Sequence, residues 1–120
     1  YPCINYLGRK QKKELPSIII NHDLIIHPSY VESTPNVLLE AMACGKPVIG
    51  TDVWGIQEIV TDHKTGFIIK KKNSAAIEQV IKMFLNDKKL LQLGKNGRID
   101  AKARFNKGQQ IQKLYKALFE

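Results

Sequence analysis

Cysteines and long hydrophobic runs are scarce in this sequence of 120 residues. Its two cysteines, Cys3 and Cys44, are too few for a disulfide framework and do not form a zinc-binding pattern. No run of about eighteen apolar residues occurs, so we expect no transmembrane helix. A basic start followed by an apolar core is also lacking, so we expect no signal peptide and a reducing, cytoplasmic location.

Motifs that hold metals or nucleoside triphosphates are also lacking. The three histidines are scattered, and no Asp-x-Asp pair occurs that could hold a metal–diphosphate complex. Gly45 and Gly50 have the separation found in a P-loop, but Thr51 and Asp52 follow where that loop needs Lys and Ser or Thr. We therefore predict no metal site, no cofactor and no P-loop.

Acidic residues are few compared with basic ones, and the formal net charge is +8. From residue 82 onward the sequence has three acidic residues and ten basic ones. Such a segment can be a solvated helical face, a contact with an anionic membrane surface, or a nucleic-acid site. Because interleaved aromatics and nucleic-acid motifs are missing, we predict no nucleic-acid partner and leave peripheral membrane contact open. The basic residues are Lys82, Lys88, Lys89, Lys95, Arg98, Lys102, Arg104, Lys107, Lys113 and Lys116.

Hydrophobic patterning predicts a single domain of the α/β class. Gly45 and Pro47 predict the end of one helix, Ser74 is the predicted cap of another, and Gly94 is a predicted helix end. Short apolar runs predict strands at 4–7, 23–27, 48–51 and 67–69. The predicted helices lie at 36–44, 55–60, from 74 onward, 87–93, 96–104 and 107–119. The segment 14–21 suits either a helix or a strand by its isoleucine content.

The loop and helix after the predicted strand at 23–27 form a candidate ligand site. Ligands of open α/β sheets bind at the carboxyl ends of strands, and the first N–H groups of a helix favour phosphate. Glu32 lies in this loop, and Glu40 lies about one turn into the helix. Because carboxylates accept hydrogen bonds from hydroxyls, the pair suits a phosphate with hydroxyl groups on both sides, as in a nucleotide-sugar. His27 could donate to this phosphate or bond to neighbouring backbone.

The segment around these two glutamates resembles the donor-binding signature of retaining GT-B glycosyltransferases, in particular family 4. That signature has two glutamates separated by seven residues, then small residues and Gly-x-Pro, and Glu32 and Glu40 fit it. The match extends to Pro28-Ser29, 41–49, 55–60 and 65–69. The resemblance covers nearly the whole chain and favours a helix at 14–21.

This resemblance implies a Rossmann-like parallel sheet flanked by helices, the second half of a GT-B donor-binding domain. Residues 1–72 would form the sheet-and-helix donor site and residues 73–120 the C-terminal helices. It implies retaining, hexosyltransferase-type transfer from a nucleotide-diphosphate sugar without a metal. Glu32 would be catalytic and contact the donor sugar, while Glu40 would hold the ribose hydroxyls. The implied donor-binding residues are Arg9, His27, Glu32, Ser33, Thr34, Pro35, Glu40 and, through backbone N–H groups facing the phosphates, Asn36, Val37 and Leu38.

Three features leave alternatives to this interpretation open. Ser33 occupies a position where the family usually has glycine, which bears on sugar selectivity. Arg9 could stack on a base or pair with phosphate, or could be an exposed turn arginine. The chain resembles only the later part of the second GT-B domain, so its expected partner is an N-terminal acceptor domain, and we expect the isolated chain to be inactive. A binding module without turnover, a nucleotide-sugar epimerase and a nucleic-acid-binding domain are the competing hypotheses.

Overall fold

The computed structural model describes residues 2–119 and contains a parallel sheet of three strands. The strands are β1 (Ile25–His27), β2 (Val48–Thr51) and β3 (Gly66–Ile69), and they lie in the order β1-β2-β3. His27 pairs with Gly50 and Thr51 with Ile69, so all three strands end at the same edge of the sheet. The predicted α/β class with a parallel sheet flanked by helices is confirmed.

Within residues 2–119, six α-helices surround or follow this sheet. They are α1 (Leu15–Ile20), α2 (Asn36–Ala43), α3 (Trp54–Gln57), α4 (Ser74–Asn86), α5 (Gln92–Arg104) and α6 (Lys107–Phe119), and short 3-10 helices cover Lys12–Glu14 and Lys88–Leu91. In the described part of the chain, no helix combines the length and apolar character needed to cross a membrane.

The sheet carries a hydrophobic cluster on each face, as expected when successive side chains of a strand alternate. On one face, Val48 packs with Leu38 and Met42 of α2. On the other face, Ile49 and Phe67 pack with residues of α4 and α5, including Val80 and Leu93. The strands β2 and β3 are therefore largely buried between layers of helices, while β1 is half-buried.

Two glycines explain where α2 ends and why α5 continues. Gly45 adopts a left-handed φ of 73° directly after α2, which confirms the predicted helix end. Gly94 was predicted to end a helix, and this prediction was wrong, because Gly94 lies within α5. A Cβ built at Gly94 would lie only 2.2 Å from the carbonyl oxygen of Gly45. The missing side chain allows α5 to approach the end of α2 closely, and the glycine does not act as a stop signal.

Gly94→Ala is expected to lower the free energy of unfolding by about 1–3 kcal/mol, the usual cost of overpacking a well-packed site. The added methyl group would meet a backbone oxygen, which no side-chain rotation can relieve. Urea unfolding followed by circular dichroism measures the change. Gly97→Ala in the same helix is the control, because its Cβ would sit 3.4 Å from Met42 Cγ, in ordinary contact. Equal losses in both variants would contradict the prediction.

Four other element predictions needed correction. Residues 4–7 form no strand, and Tyr6 is 90% exposed, because no described strand lies beside this segment to accept its backbone hydrogen bonds. Asn73 caps α4 by accepting from the N–H of Ala76, which displaces Ser74 to the first helical position. The predicted helix at 87–93 is a short 3-10 helix instead, and α3 begins at Trp54 and stops at Gln57. The basic side chains beyond residue 81 are exposed, except that Lys113 lies outside the described side chains.

The last helix, α6, exposes apolar side chains. Ile111, Leu114 and Leu118 of α6 all remain largely open to solvent, as do Tyr115 and Phe119.

Candidate functional site

The candidate site lies at the carboxyl edge of the sheet, in the loop that joins β1 to α2. We call residues 28–35 the β1–α2 loop. Two prolines in it oppose regular helix, and it leads directly into Asn36, the first residue of α2. Pro35 occupies the N-cap position, and no side chain in the described chain caps the first turn of α2. The start of this helix thus retains backbone donors that can bind an anion.

The backbone of the first turn shows which amides remain as donors. The N–H of Leu38 donates to the carbonyl oxygen of Pro35 at 3.0 Å. Within residues 2–119, the N–H groups of Asn36 and Val37 make no hydrogen bond. Leu38 directs its side chain into the core, where it is fully buried. Of the three amides predicted to face phosphate, Asn36 and Val37 are therefore the ones that a ligand can use.

His27 and Glu32 form a half-buried pair at the edge of the sheet. The distance between His27 Nε2 and Glu32 Oε2 is 3.0 Å, and the two side chains are 26% and 25% exposed. An ionised carboxylate only accepts hydrogen bonds, so the His27 Nε2–H donates to Glu32. The pair holds the Glu32 carboxylate at the end of β1, while its second oxygen can accept from a hydroxyl group.

The β1–α2 loop is attached to the next strand and helix by two further hydrogen bonds. Thr51 at the end of β2 donates its hydroxyl to the carbonyl oxygen of Ser29. The N–H of Gly55 in α3 donates to the carbonyl oxygen of Glu32 at 3.2 Å. Neither contact was predicted from the sequence, and the only signal for them is that Thr51 ends β2 and Gly55 lies shortly after it.

Glu40 lies on α2, half-buried, beside the end of α5. It lines a groove of about 350 Å³ together with Ala43 on its own helix and Lys102, Phe105 and Asn106 at the end of α5 or just beyond it. No described contact joins Glu40 to Glu32. The structure thus places one predicted carboxylate in the β1–α2 loop, held by His27, and the other in a separate groove along α2.

The remaining predicted residues have less defined surroundings. Ser33 and Thr34 are exposed in the β1–α2 loop, and Pro35 is buried beneath them. Arg9 is exposed on a segment without helix or strand, next to Gly8, whose φ is 68°. No hydrogen bond or ion pair within residues 2–119 connects Arg9 to the β1–α2 loop.

A groove of about 420 Å³ adjoins the β1–α2 loop on the side of α4. Pro28 and Tyr30 line it together with Lys70, Lys72 and the first residues of α4. The ammonium group of Lys72 lies 5.7 Å from the centre of the Tyr30 ring, within cation–π range. Lys70 and Lys72 give this flank of the loop a positive charge. In the described chain, no three His, Cys, Asp or Glu side chains cluster in a way that could hold a metal ion.

Solved structures share this fold, and one of them contains a nucleotide-sugar. Anabaena HepE in complex with UDP-glucose superposes with a TM-score of 0.81 at 27% identity, over 88% of this chain and 29% of that chain. Sucrose-phosphate synthase from Thermosynechococcus elongatus superposes with a TM-score of 0.86 at 34% identity, over 96% of this chain and 30% of that chain. The fold is therefore that of part of a GT-B glycosyltransferase.

Curated relatives are glycosyltransferases of which the chain spans about a quarter. An N,N'-diacetylbacillosaminyl-diphospho-undecaprenol alpha-1,3-N-acetylgalactosaminyltransferase of Campylobacter jejuni is 35% identical over 82% of this chain and 26% of its own length. A glycosyltransferase of Methanocaldococcus jannaschii is 38% identical over 79% of this chain and 27% of its own length. The resemblance to GT-B glycosyltransferases is confirmed, whereas assignment to family 4 stays a prediction. The family described as glycosyl transferases group 1 matches residues 3–100, and the chain belongs to this family.

Proposed function

We propose that this chain is the donor-binding part of a family 4 type, retaining glycosyltransferase that takes a sugar from a nucleotide-diphosphate sugar. The observation that carries the proposal is the pairing of His27 with Glu32 beside the uncapped start of α2. This edge of the sheet combines an oriented carboxylate for sugar hydroxyls with backbone donors for phosphate. The UDP-glucose complex of HepE supports a uridine nucleotide-sugar as the first donor to test.

In the proposed reaction, the bond between the anomeric carbon of the sugar and the nucleoside diphosphate breaks, and negative charge develops on a phosphate oxygen of the leaving group. An acceptor hydroxyl forms the new bond to the same carbon and gives its proton to the departing diphosphate. The amides of Asn36 and Val37 and the positive end of the α2 dipole would stabilise that charge as it forms. Glu32 would accept hydrogen bonds from hydroxyls of the donor sugar, close to the reacting carbon, which is the catalytic role proposed for it. Glu40 would hold the ribose hydroxyls, while Ser33, Thr34 and Pro35 shape the loop around the sugar.

We further propose that the acceptor binds to another domain, so that the 120-residue chain binds donor without transferring sugar. The chain spans 26% and 27% of two curated relatives, so about three quarters of each relative lies outside the matching part. The Campylobacter relative is named for an undecaprenol-linked acceptor, which supports peripheral contact with a membrane from a cytoplasmic location. The exposed basic residues of α5 would suit such a contact. No metal is required in this proposal.

A titration observed by NMR tests the donor site. UDP, GDP, UDP-glucose and GDP-mannose are added to the labelled chain, and amide shifts are followed. We expect shifts concentrated at residues 27–40, with Asn36 and Val37 among the largest, because their N–H groups would gain phosphate acceptors. The nucleotide with the lower Kd identifies the base. If millimolar ligand moves no resonance in this segment, the chain does not bind donor, and the proposed function fails.

A further inference from the structure

The β1–α2 loop has little internal support. Among the described residues, one side-chain hydrogen bond lies within the loop: Ser29 Oγ donates to the carbonyl oxygen of Val31 at 2.8 Å. Most of its side chains are exposed, and Pro28 and Pro35 cannot donate backbone hydrogen bonds. A loop of this kind keeps a defined conformation only if neighbouring elements hold its backbone.

Gly55 holds the loop through contact with its backbone. Its N–H donates to the carbonyl oxygen of Glu32, and a Cβ built on it would lie 2.3 Å from the carbonyl oxygen of Ser33 and 2.5 Å from that of Glu32. Gly55 is buried, and its backbone is not in the left-handed region that favours glycine. Space is therefore what requires glycine here, and any side chain would push the loop away from α3.

Thr51 holds the loop at a second point. Its side chain is 2% exposed, and its hydroxyl finds its acceptor in the carbonyl oxygen of Ser29. A buried hydroxyl is costly unless it is hydrogen-bonded, so this contact fixes both partners. Gly55 and Thr51 thus donate to the carbonyl groups of Glu32 and Ser29, which lie three residues apart on either side of Val31.

From these contacts we infer that Gly55 and Thr51 are positioning residues that hold the β1–α2 loop so that the Glu32 carboxylate stays on His27. Without the hydrogen bond from Gly55 to its carbonyl oxygen, Glu32 can move away from the end of β1, and its 3.0 Å bond to His27 is lost. Loss of this bond should also weaken binding of a nucleotide-sugar, and that expectation rests on the proposed function. The effect on the loop does not, because it is present in the free chain.

The test compares Gly55→Ala with Gly97→Ala, a substitution at another buried helical glycine, whose Cβ would make ordinary contacts at 3.4 and 3.5 Å. Two measurements are made on the ligand-free chain: the imidazole ¹⁵N resonances of His27, and amide hydrogen exchange in the loop. We expect Gly55→Ala to change the Nε2 resonance and to speed exchange of loop amides about tenfold, the factor for one ordinary hydrogen bond. Gly97→Ala should leave both as in the wild type. UDP-glucose affinity, measured in parallel, should fall with Gly55→Ala alone.

Thr51→Val is the second variant, because it keeps the shape of the side chain and removes only the hydroxyl donor. If Gly55→Ala does not fold, faster loop exchange and an altered His27 resonance in Thr51→Val would support the inference. An unchanged His27 resonance and unchanged loop exchange in a folded Gly55→Ala variant, or in Thr51→Val where Gly55→Ala does not fold, would overturn it. So would equal changes in Gly97→Ala. If the wild-type chain binds no UDP-glucose, the proposed function is wrong. The two measurements on the ligand-free chain would still show whether Gly55 and Thr51 hold the loop.

Discussion

Replacing Glu40 by glutamine is expected to weaken UDP binding roughly 10- to 150-fold, the range that corresponds to loss of hydrogen bonding to a charged group. A carboxylate can accept from two ribose hydroxyls at once, whereas glutamine offers a single acceptor oxygen and no charge. The substitution nearly preserves the volume of the side chain, so the groove between α2 and the end of α5 should keep its shape. Isothermal titration of wild type and variant measures the change in Kd.

Two controls separate the role of Glu40 from a general effect of charge. Glu78→Gln removes a carboxylate from the exposed face of α4, where Glu78 pairs with Lys82, and it should leave the Kd unchanged. The dideoxy analogue of UDP, which lacks both ribose hydroxyls, should bind Glu40→Gln and wild type with similar affinity. If Glu40→Gln lowers the affinity for this analogue as much as for UDP, then Glu40 does not bind the ribose.

Elements with local sequence signals could be predicted from the sequence. The helix α2 begins and ends close to its predicted bounds, because good helix formers fill it and Gly45 takes the left-handed conformation that its end requires. The strands β2 and β3 were predicted because short apolar runs between turn residues are typical of buried parallel strands. In these segments, the local preference and the tertiary packing agree.

Predictions failed where a distant contact decides the structure. Residues 4–7 have the composition of a strand, but a strand needs a neighbour, and none of the described strands lies beside them. Gly94 gives the local signal of a helix end, but its actual role is to admit the carbonyl group of Gly45, which is 49 positions away in the sequence. Neither outcome could be derived from the pattern around the residue itself.

In the candidate site, too, local features could be predicted from the sequence and contacts between elements could not. The spacing of Glu32 and Glu40 points to the loop-helix unit after β1, but the structure places Glu32 in the loop and Glu40 in a separate groove along α2. The bond between His27 and Glu32 crosses a loop without regular periodicity, so its geometry required the structure. The hydrogen bonds from Thr51 and Gly55 to the loop depend on the packing of the next strand and helix against it.

Leu38→Ala is expected to lower the free energy of unfolding by about 2–5 kcal/mol, the range for leucine truncation in a core. Leu38 is 0% exposed and packs between α2 and the sheet, so the truncation removes apolar contacts and leaves a cavity. Against a total stability of about 5–15 kcal/mol for an ordinary domain, this is a large fraction. Urea unfolding curves of wild type and variant measure the difference.

Leu114→Ala provides the matched control for this truncation. Leu114 lies on α6 and is 60% exposed, so its removal should change stability by less than about 0.5 kcal/mol. Leu38 also lies in the first turn of α2, directly after the two amides proposed to bind phosphate, and its own N–H donates to Pro35. Because its side chain contacts the core and not the ligand, Leu38→Ala should weaken UDP binding only as far as it depopulates the folded chain. An equal loss of stability in both leucine variants would mean that Leu38 does not anchor α2 to the sheet.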